Sequence, residues 1–314
     1  ESFGRDHRCQ LTWVCDVATD HLTANLPAST KFSSNYQDLL ADTDLHALVI
    51  ATPASSHFEI ARQALLAGKH LLIEKPLCDT FAKARQLVAL AEEKHTTLMV
   101  GHVFLFSRSV VDLIELIRSS RLGALRYIRF EWTNAGPIRA DVSVFFDLGA
   151  HCLSILQALI DERPVAVNAV ASSFLSQDVF DSGSAVLRYD SGLIAEIHTG
   201  WCDPRKRRNI VVVGTEKMAI WDGLSACAPL KIVDVRAEQT EARAWRITGA
   251  GEETVVNGES SGPPLDHECQ NFIDSILKGT APLCDGVAGM NVVELIELIE
   301  NSAKSQRQEI CKSN

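Results

Sequence analysis

Residues 47–77 read ALVIATPASSHFEIARQALLAGKHLLIEKPL, a buried strand, a helix and a second buried strand in one unbroken run. Ala47–Ala51 is a continuous apolar stretch closed by Thr52 and Pro53, the pattern of a strand covered on both faces. Ser56 and His57 open the helix Phe58–Ala67, Gly68 stops it, and His70–Ile73 is the next strand. The rhythm holds on either side. Leu11–Cys15, closed by Asp16, is an earlier strand, Thr80 caps an amphipathic helix running to about Lys94, and Thr97–Val100 is a fourth strand. Strands and helices alternating in this way build a parallel sheet with helices on both faces.

The rhythm changes after Gly101. A helix over about Arg108–Arg121 leads into a strand, Leu125–Trp132, and a second helix runs from near Val144 to about Leu159. Val165–Ser172, Ser184–Tyr189, Leu193–Thr199, Ile210–Gly214 and Met218–Trp221 are short β-branched runs between turn signals such as Asp190-Ser-Gly192, which predicts a large, open, mainly antiparallel sheet. Helices Leu265–Leu277 and Gly289–Ser302 close the chain. The boundary falls in Gly101–Ser107, giving an α/β chain of two domains, 1–102 and 103–314.

Composition narrows the function classes. With 314 residues, 46% hydrophobic and 22% charged, the chain buries a large core rather than remaining disordered. A formal net charge of −10 argues against polyanionic partners, so neither nucleic acid nor an anionic membrane is expected. The nine cysteines include no C-x-x-C pair, which predicts neither a metal site nor a disulfide framework and fits the reducing cytoplasm. No apolar stretch approaches the ~20 residues that span a bilayer.

Polar groups collect at the predicted strand ends, where open α/β sheets bind ligands. Asp16 is placed to accept ribose hydroxyls and favours NAD over the phosphorylated cofactor, NADP; taken alone, an Asp closing a strand is more often a turn or cap residue. Thr52, Pro53 and His57 follow one strand, and Glu74, Lys75 and Pro76 the next. Lys75, held by Pro76, can polarise a substrate hydroxyl, although an exposed Glu74–Lys75 ion pair explains the same residues. Asp147 and His151 lie four apart in a helical pattern and share one face, a base and an orienting acid for removing a hydroxyl proton as hydride leaves. Arg139 can grip a carboxylate or diphosphate in bidentate fashion. The basic run Arg205–Arg208 reads as a solvated hairpin or as a site for a phosphate-bearing substrate.

Taken together, ATPASSH (51–57), GKHLLIEKPL (68–77), DLGAHCLSI (147–155) and the closing run from Pro264 resemble the Gfo/Idh/MocA family of nicotinamide-dependent oxidoreductases over nearly the whole chain. The resemblance implies a Rossmann-like domain followed by a substrate-binding and oligomerisation domain. It also implies NAD as cofactor, a homodimer or homotetramer, and a small-molecule sugar or nucleotide-sugar substrate. By the same resemblance Lys75, Asp147 and His151 hold the catalytic positions, and Thr52, Pro53, His57, Glu74 and Lys75 surround the dinucleotide. Asn134 and Arg139, with Lys75 and His151, form the substrate side. The stretch from Asn134 to Arg139 is similar to members that oxidise C3 of UDP-N-acetylglucosamine or its uronic acid, which commonly have Asp after the catalytic His where Cys152 stands here.

One departure separates the chain from that pattern. Gly4 is what resembles the end of a Gly-x-Gly-x-x-Gly turn, Glu1 falls where the second glycine belongs, and the first strand is absent. Gly4 precedes Asp16 by only twelve positions, against the roughly 20 that separate the turn from its acid. The expectation is therefore weak cofactor binding by the chain as written, as a fragment of an active enzyme or as a shortened form. The alternative function is a noncatalytic sugar-binding or subunit-interaction module.

Overall fold

The computed structural model describes residues 2–18, 26–175, 178–240, 243–249, 251, 253–256 and 262–311. Two units emerge, Glu1–Val103 with Gly262–Val293, and Phe104–Ser261 with Glu294–Asn314. A single boundary near residue 102 does not anticipate that Gly262–Val293 returns to the first unit.

The first unit contains β1 (Trp13–Cys15), β2 (Lys31–Ser33), α1 (Tyr36–Leu40), β3 (Ala47–Ile50), α2 (Ala54–Leu66), β4 (His70–Glu74), α3 (Phe81–Glu93) and β5 (Leu98–Gly101). All pairings are parallel, as the βαβ rhythm requires. Ile50, Leu71, Ile73, Met99 and Val100 are buried between helix layers. The strands fall into two sheets, β1–β2 and β3–β4–β5. Among the described residues β1 pairs only with β2, and β3 only with β4, so the two sheets are not joined to each other. Neither β2 nor α1 was expected from sequence, since KFS and YQDLL are too short for periodicity to register.

The second unit begins with α4 (Arg108–Arg118), β6 (Leu125–Ala135) and α5 (Ala150–Leu159). It continues through β7 (Ala166–Ser172), β8 (Ser182–Arg188), β9 (Ile194–Gly200), β10 (Cys202–Gly214), β11 (Met218–Asp222), β12 (Leu230–Val233), β13 (Arg236–Gln239), β14 (Trp245–Thr248) and β15 (Glu253–Val255). After α6 (Pro264–Lys278) and α7 (Gly286–Ser305), β16 (Glu309–Ile310) ends the series. Nine strands form one sheet in the order β15-β12-β11-β10-β6-β9-β8-β7-β16, antiparallel except for β6 against β9. One face buries Ile128, Phe130, Trp132, Ile210 and Trp221, and Trp221 Nε1 donates to Ser109 Oγ of α4 at 2.9 Å. The other face leaves Tyr127, Ile194 and Ile220 partly exposed. β10 starts well before the expected Ile210, so the basic run is strand, not hairpin tip.

In the first unit α6 returns to the amino-terminal segment through Phe3 against Phe272 and Arg5 against Asp266, and Cys284 O accepts from Val100 N at 2.8 Å. No helix among the described residues is long and apolar enough to cross a membrane.

Candidate functional site

In the first unit the candidate residues stand at the carboxyl ends of β3 and β4. His57 is buried in α2, with Nδ1 2.8 Å from Pro76 O and Nε2 2.8 Å from Thr52 O. It therefore ties the loop after β3, which carries Thr52 and Pro53, to the loop after β4. Lys75 is half-buried and precedes Pro76 through a cis peptide bond, and its N–H donates to Glu74 Oε2 at 3.3 Å. Neither residue is the exposed loop pair that the plainer sequence reading allows.

Two further groups adjoin this end of the sheet, and sequence reasoning missed both. His102 follows β5 as Lys75 follows β4, and it is fully buried; desolvation, with the Lys75 charge nearby, pushes its imidazole down to about 3. Glu268 of α6 is equally buried, and burial together with the Glu74 carboxylate pushes it up to about 8. The signal was present in both cases: His102 occupies the third consecutive strand end, and Glu268 shares its helix stripe with Phe272 four residues on.

Asp16 closes β1 and uses its Oδ1 to accept from Ala18 N at 2.9 Å, a turn contact. Gly4 lies in a 3-10 turn, Phe3–Arg5, and a Cβ there would meet nothing within 4 Å, so the backbone does not require glycine. The ends of β3 and β4 provide a braced, half-buried polar rim, and at Gly4 the space a Cβ would fill stands open.

The second unit holds the other candidates. The segment around Asp147 is a π-helical turn, Phe145–Gly149, passing into α5 at Ala150, rather than the uniform α-helix its pattern predicts. Such widened turns recur at functional sites because they re-aim side chains. Asp147 is fixed from two sides: Trp201 Nε1 donates to its Oδ2 at 3.1 Å, and Arg139 Nη1 stands 3.8 Å from Oδ1. Arg139 is itself bidentate on Asp141, at 2.9 and 2.6 Å, which holds the guanidinium above its ordinary value. His151 meets the Phe104 ring edge to face, at 4.9 Å between centroids. Phe104 packs in the same way on Trp132, which stacks on Trp221. Asn134, near the end of β6, donates from Nδ2 to Gly136 O and accepts from Arg208 at Oδ1, both at 2.8 Å. Trp201 was not anticipated, being one residue beyond β9 with no spacing to single it out.

Comparison with known proteins follows the same division. The family described as "Oxidoreductase family, NAD-binding Rossmann fold" matches residues 4–102, and "GFO/IDH/MocA C-terminal domain" matches residues 110–220. UDP-N-acetylglucosamine 3-dehydrogenase of Acidithiobacillus ferrooxidans is 30% identical over 256 residues, covering 81% of this chain and 77% of that protein. The chain belongs to the Gfo/Idh/MocA oxidoreductase family. Among solved structures, aldose-aldose oxidoreductase from Caulobacter crescentus, complexed with glycerol, superposes with a TM-score of 0.85 at 20% identity over 99% of this chain and 94% of that one. GenD2 from gentamicin A biosynthesis, in complex with NAD, gives 0.83 at 24% identity over 99% and 92%. The first unit is thus the NAD-binding Rossmann domain of a Gfo/Idh/MocA protein, and the fold class expected from sequence is the one observed.

Proposed function

We propose that this Gfo/Idh/MocA protein transfers a hydride between a hydroxyl carbon of a sugar or nucleotide sugar and NAD, as an NAD-dependent dehydrogenase. When bound, the nicotinamide supplies the hydride acceptor. His151 removes the proton of the substrate hydroxyl, Lys75 hydrogen-bonds and polarises the same oxygen, and Asp147 orients the sugar. The observation that carries this reading is the state of Asp147, a carboxylate fixed by an indole N–H and an arginine at a π-helical turn leading directly to His151. NAD rather than NADP is favoured by Asp16, which closes β1. The sugar class is drawn from the names of the relatives, and a cytoplasmic setting from the thiol-rich composition. A homodimer or homotetramer, assembled through the face that exposes Tyr127, Ile194 and Ile220, is part of the same proposal.

The test is NAD reduction at 340 nm across a panel of sugars and nucleotide sugars. Lys75→Ala and His151→Ala are expected to lose turnover by at least about a hundredfold while keeping their melting temperature. Wild-type rates in both variants would overturn the assignment. A second reading, a noncatalytic sugar-binding or subunit-interaction module, draws on the two separate sheets of the first unit. It predicts sugar binding that is indifferent to NAD.

A further inference from the structure

Of the four cations at 205–208, the fold singles out one. Register sets Arg208 opposite Trp132, on the face that buries Phe130 and Ile210, whereas Arg207 pairs with Glu131. The Arg208 guanidinium stands 5.5 Å from the centroid of the Trp132 ring. Its Nη1 donates to Thr133 O at 2.9 Å and Arg207 O at 2.6 Å, and its Nη2 donates to Asn134 Oδ1 at 2.8 Å. All three acceptors are neutral, and among the described residues no carboxylate pairs with this cation. Burial pushes its pKa below the ordinary arginine value, while Asp147 counters only through longer-range attraction. A guanidinium has five N–H donors, so one on Nε and one on Nη2 are left for an outside acceptor.

A half-buried charge without a counter-ion is costly, and its partner is to be sought outside the chain. Arg139, which sequence favoured as the anion grip, cannot fill this role because Asp141 and Asp147 already balance it. The rings of Trp132 and Phe104 carry the same face from Arg208 to His151. We propose that Arg208 is the anion-binding residue of the substrate site and that the sugar it selects bears a carboxylate or phosphate group. This rests on the sugar-oxidoreductase reading and adds the charge class of the substrate. An oxyanion completes the donors of Arg208, whereas a neutral sugar leaves the cation uncompensated, so Arg208 rejects as well as attracts.

Calorimetric titration in the presence of NAD, with three matched pairs, tests it: D-glucuronate against D-glucose, D-glucose 6-phosphate against D-glucose, and UDP-N-acetylglucosamine against N-acetylglucosamine. The wild type is expected to bind at least one acidic member about tenfold or more tightly than its neutral counterpart, and the pair that shows it names the anion. Arg208→Gln is expected to bring that preference within about threefold without weakening the neutral sugar. Asn134→Asp keeps the arginine but gives it a counter-ion; it is expected to erase the preference as well, which covers the case in which Arg208→Gln fails to fold. Equal affinity for acidic and neutral sugars in the wild type overturns the proposal and leaves the sugar reading intact. Binding of no sugar overturns both. A preference that survives Arg208→Gln but disappears in Arg139→Gln moves the anion site to Arg139 and overturns the assignment of Arg208.

Discussion

Glu268 and His102 carry opposite pH signatures because burial disfavours the charged form of each. Glu268 is raised above its ordinary carboxyl value of 4.5 to about 8, so its contribution to stability is full below pH 4.5 and is lost as pH rises toward 8. His102 is lowered from 6.5 to about 3, so its contribution is full above pH 6.5 and is lost as pH falls toward 3. Each limb has a limiting slope of about 1.4 kcal/mol per pH unit. Urea unfolding across pH 4–9 is expected to show Glu268→Gln gaining stability over the wild type by ~2–4 kcal/mol at pH 8.5 and by almost nothing at pH 4.5. A constant difference across the range would show that Glu268 titrates alike in the folded and unfolded protein. The sequence marks the positions of both residues but not their desolvation, since spacing marks a side chain as facing inward but not how completely water is removed from it. Asp147 and His151 stood out as candidates because four-residue spacing in a helical pattern predicts a shared face.

Helices and strands were read most securely where periodicity had room to repeat. Thr80 was expected to cap the helix that follows, and its side chain accepts from Lys83 N. The turn around Asp147 was read as α-helix because FFDLGAHCLSI carries a helical pattern, whereas the structure has a π-turn there. Phe145 is fully buried in that turn, and a Cβ added at Gly183 of β8 would lie 2.4 Å from its Cζ and 2.9 Å from Ala171 Cβ. A strand glycine is thus the space into which the turn settles. Gly183→Ala is expected to destabilise the fold by roughly 1–3 kcal/mol through overpacking and to lower NAD-dependent turnover by displacing Asp147. Chemical denaturation and steady-state kinetics read the two effects separately, and wild-type stability with wild-type rate would show that the turn does not depend on this gap.

For the molecule as a whole, the central question is how the divided parallel sheet meets the dinucleotide. With β1–β2 and β3–β4–β5 unjoined, NADH is expected to bind the chain with Kd weaker than about 100 μM. Preceding it with the first strand and glycine turn of a Gfo/Idh/MocA relative is expected to tighten binding at least tenfold. Fluorescence titration of NADH measures both, and tight binding without that addition would show that the braced ends of β3 and β4 suffice. Light scattering on Ile194→Glu checks the proposed assembly, the expected result being a shift from dimer or tetramer to monomer. From the order of residues alone came the alternation of strands and helices, the family, the open sheet and the candidates Lys75, Asp147 and His151, because periodicity and short motifs are local along the chain. The tertiary structure alone decided that Arg139 is balanced by carboxylates while Arg208 is not, that Glu268 and His102 lie beyond water, and that Gly262–Val293 rejoins the first unit. Charge compensation and desolvation depend on which distant residues come within a few ångströms, and no spacing along the chain encodes that distance.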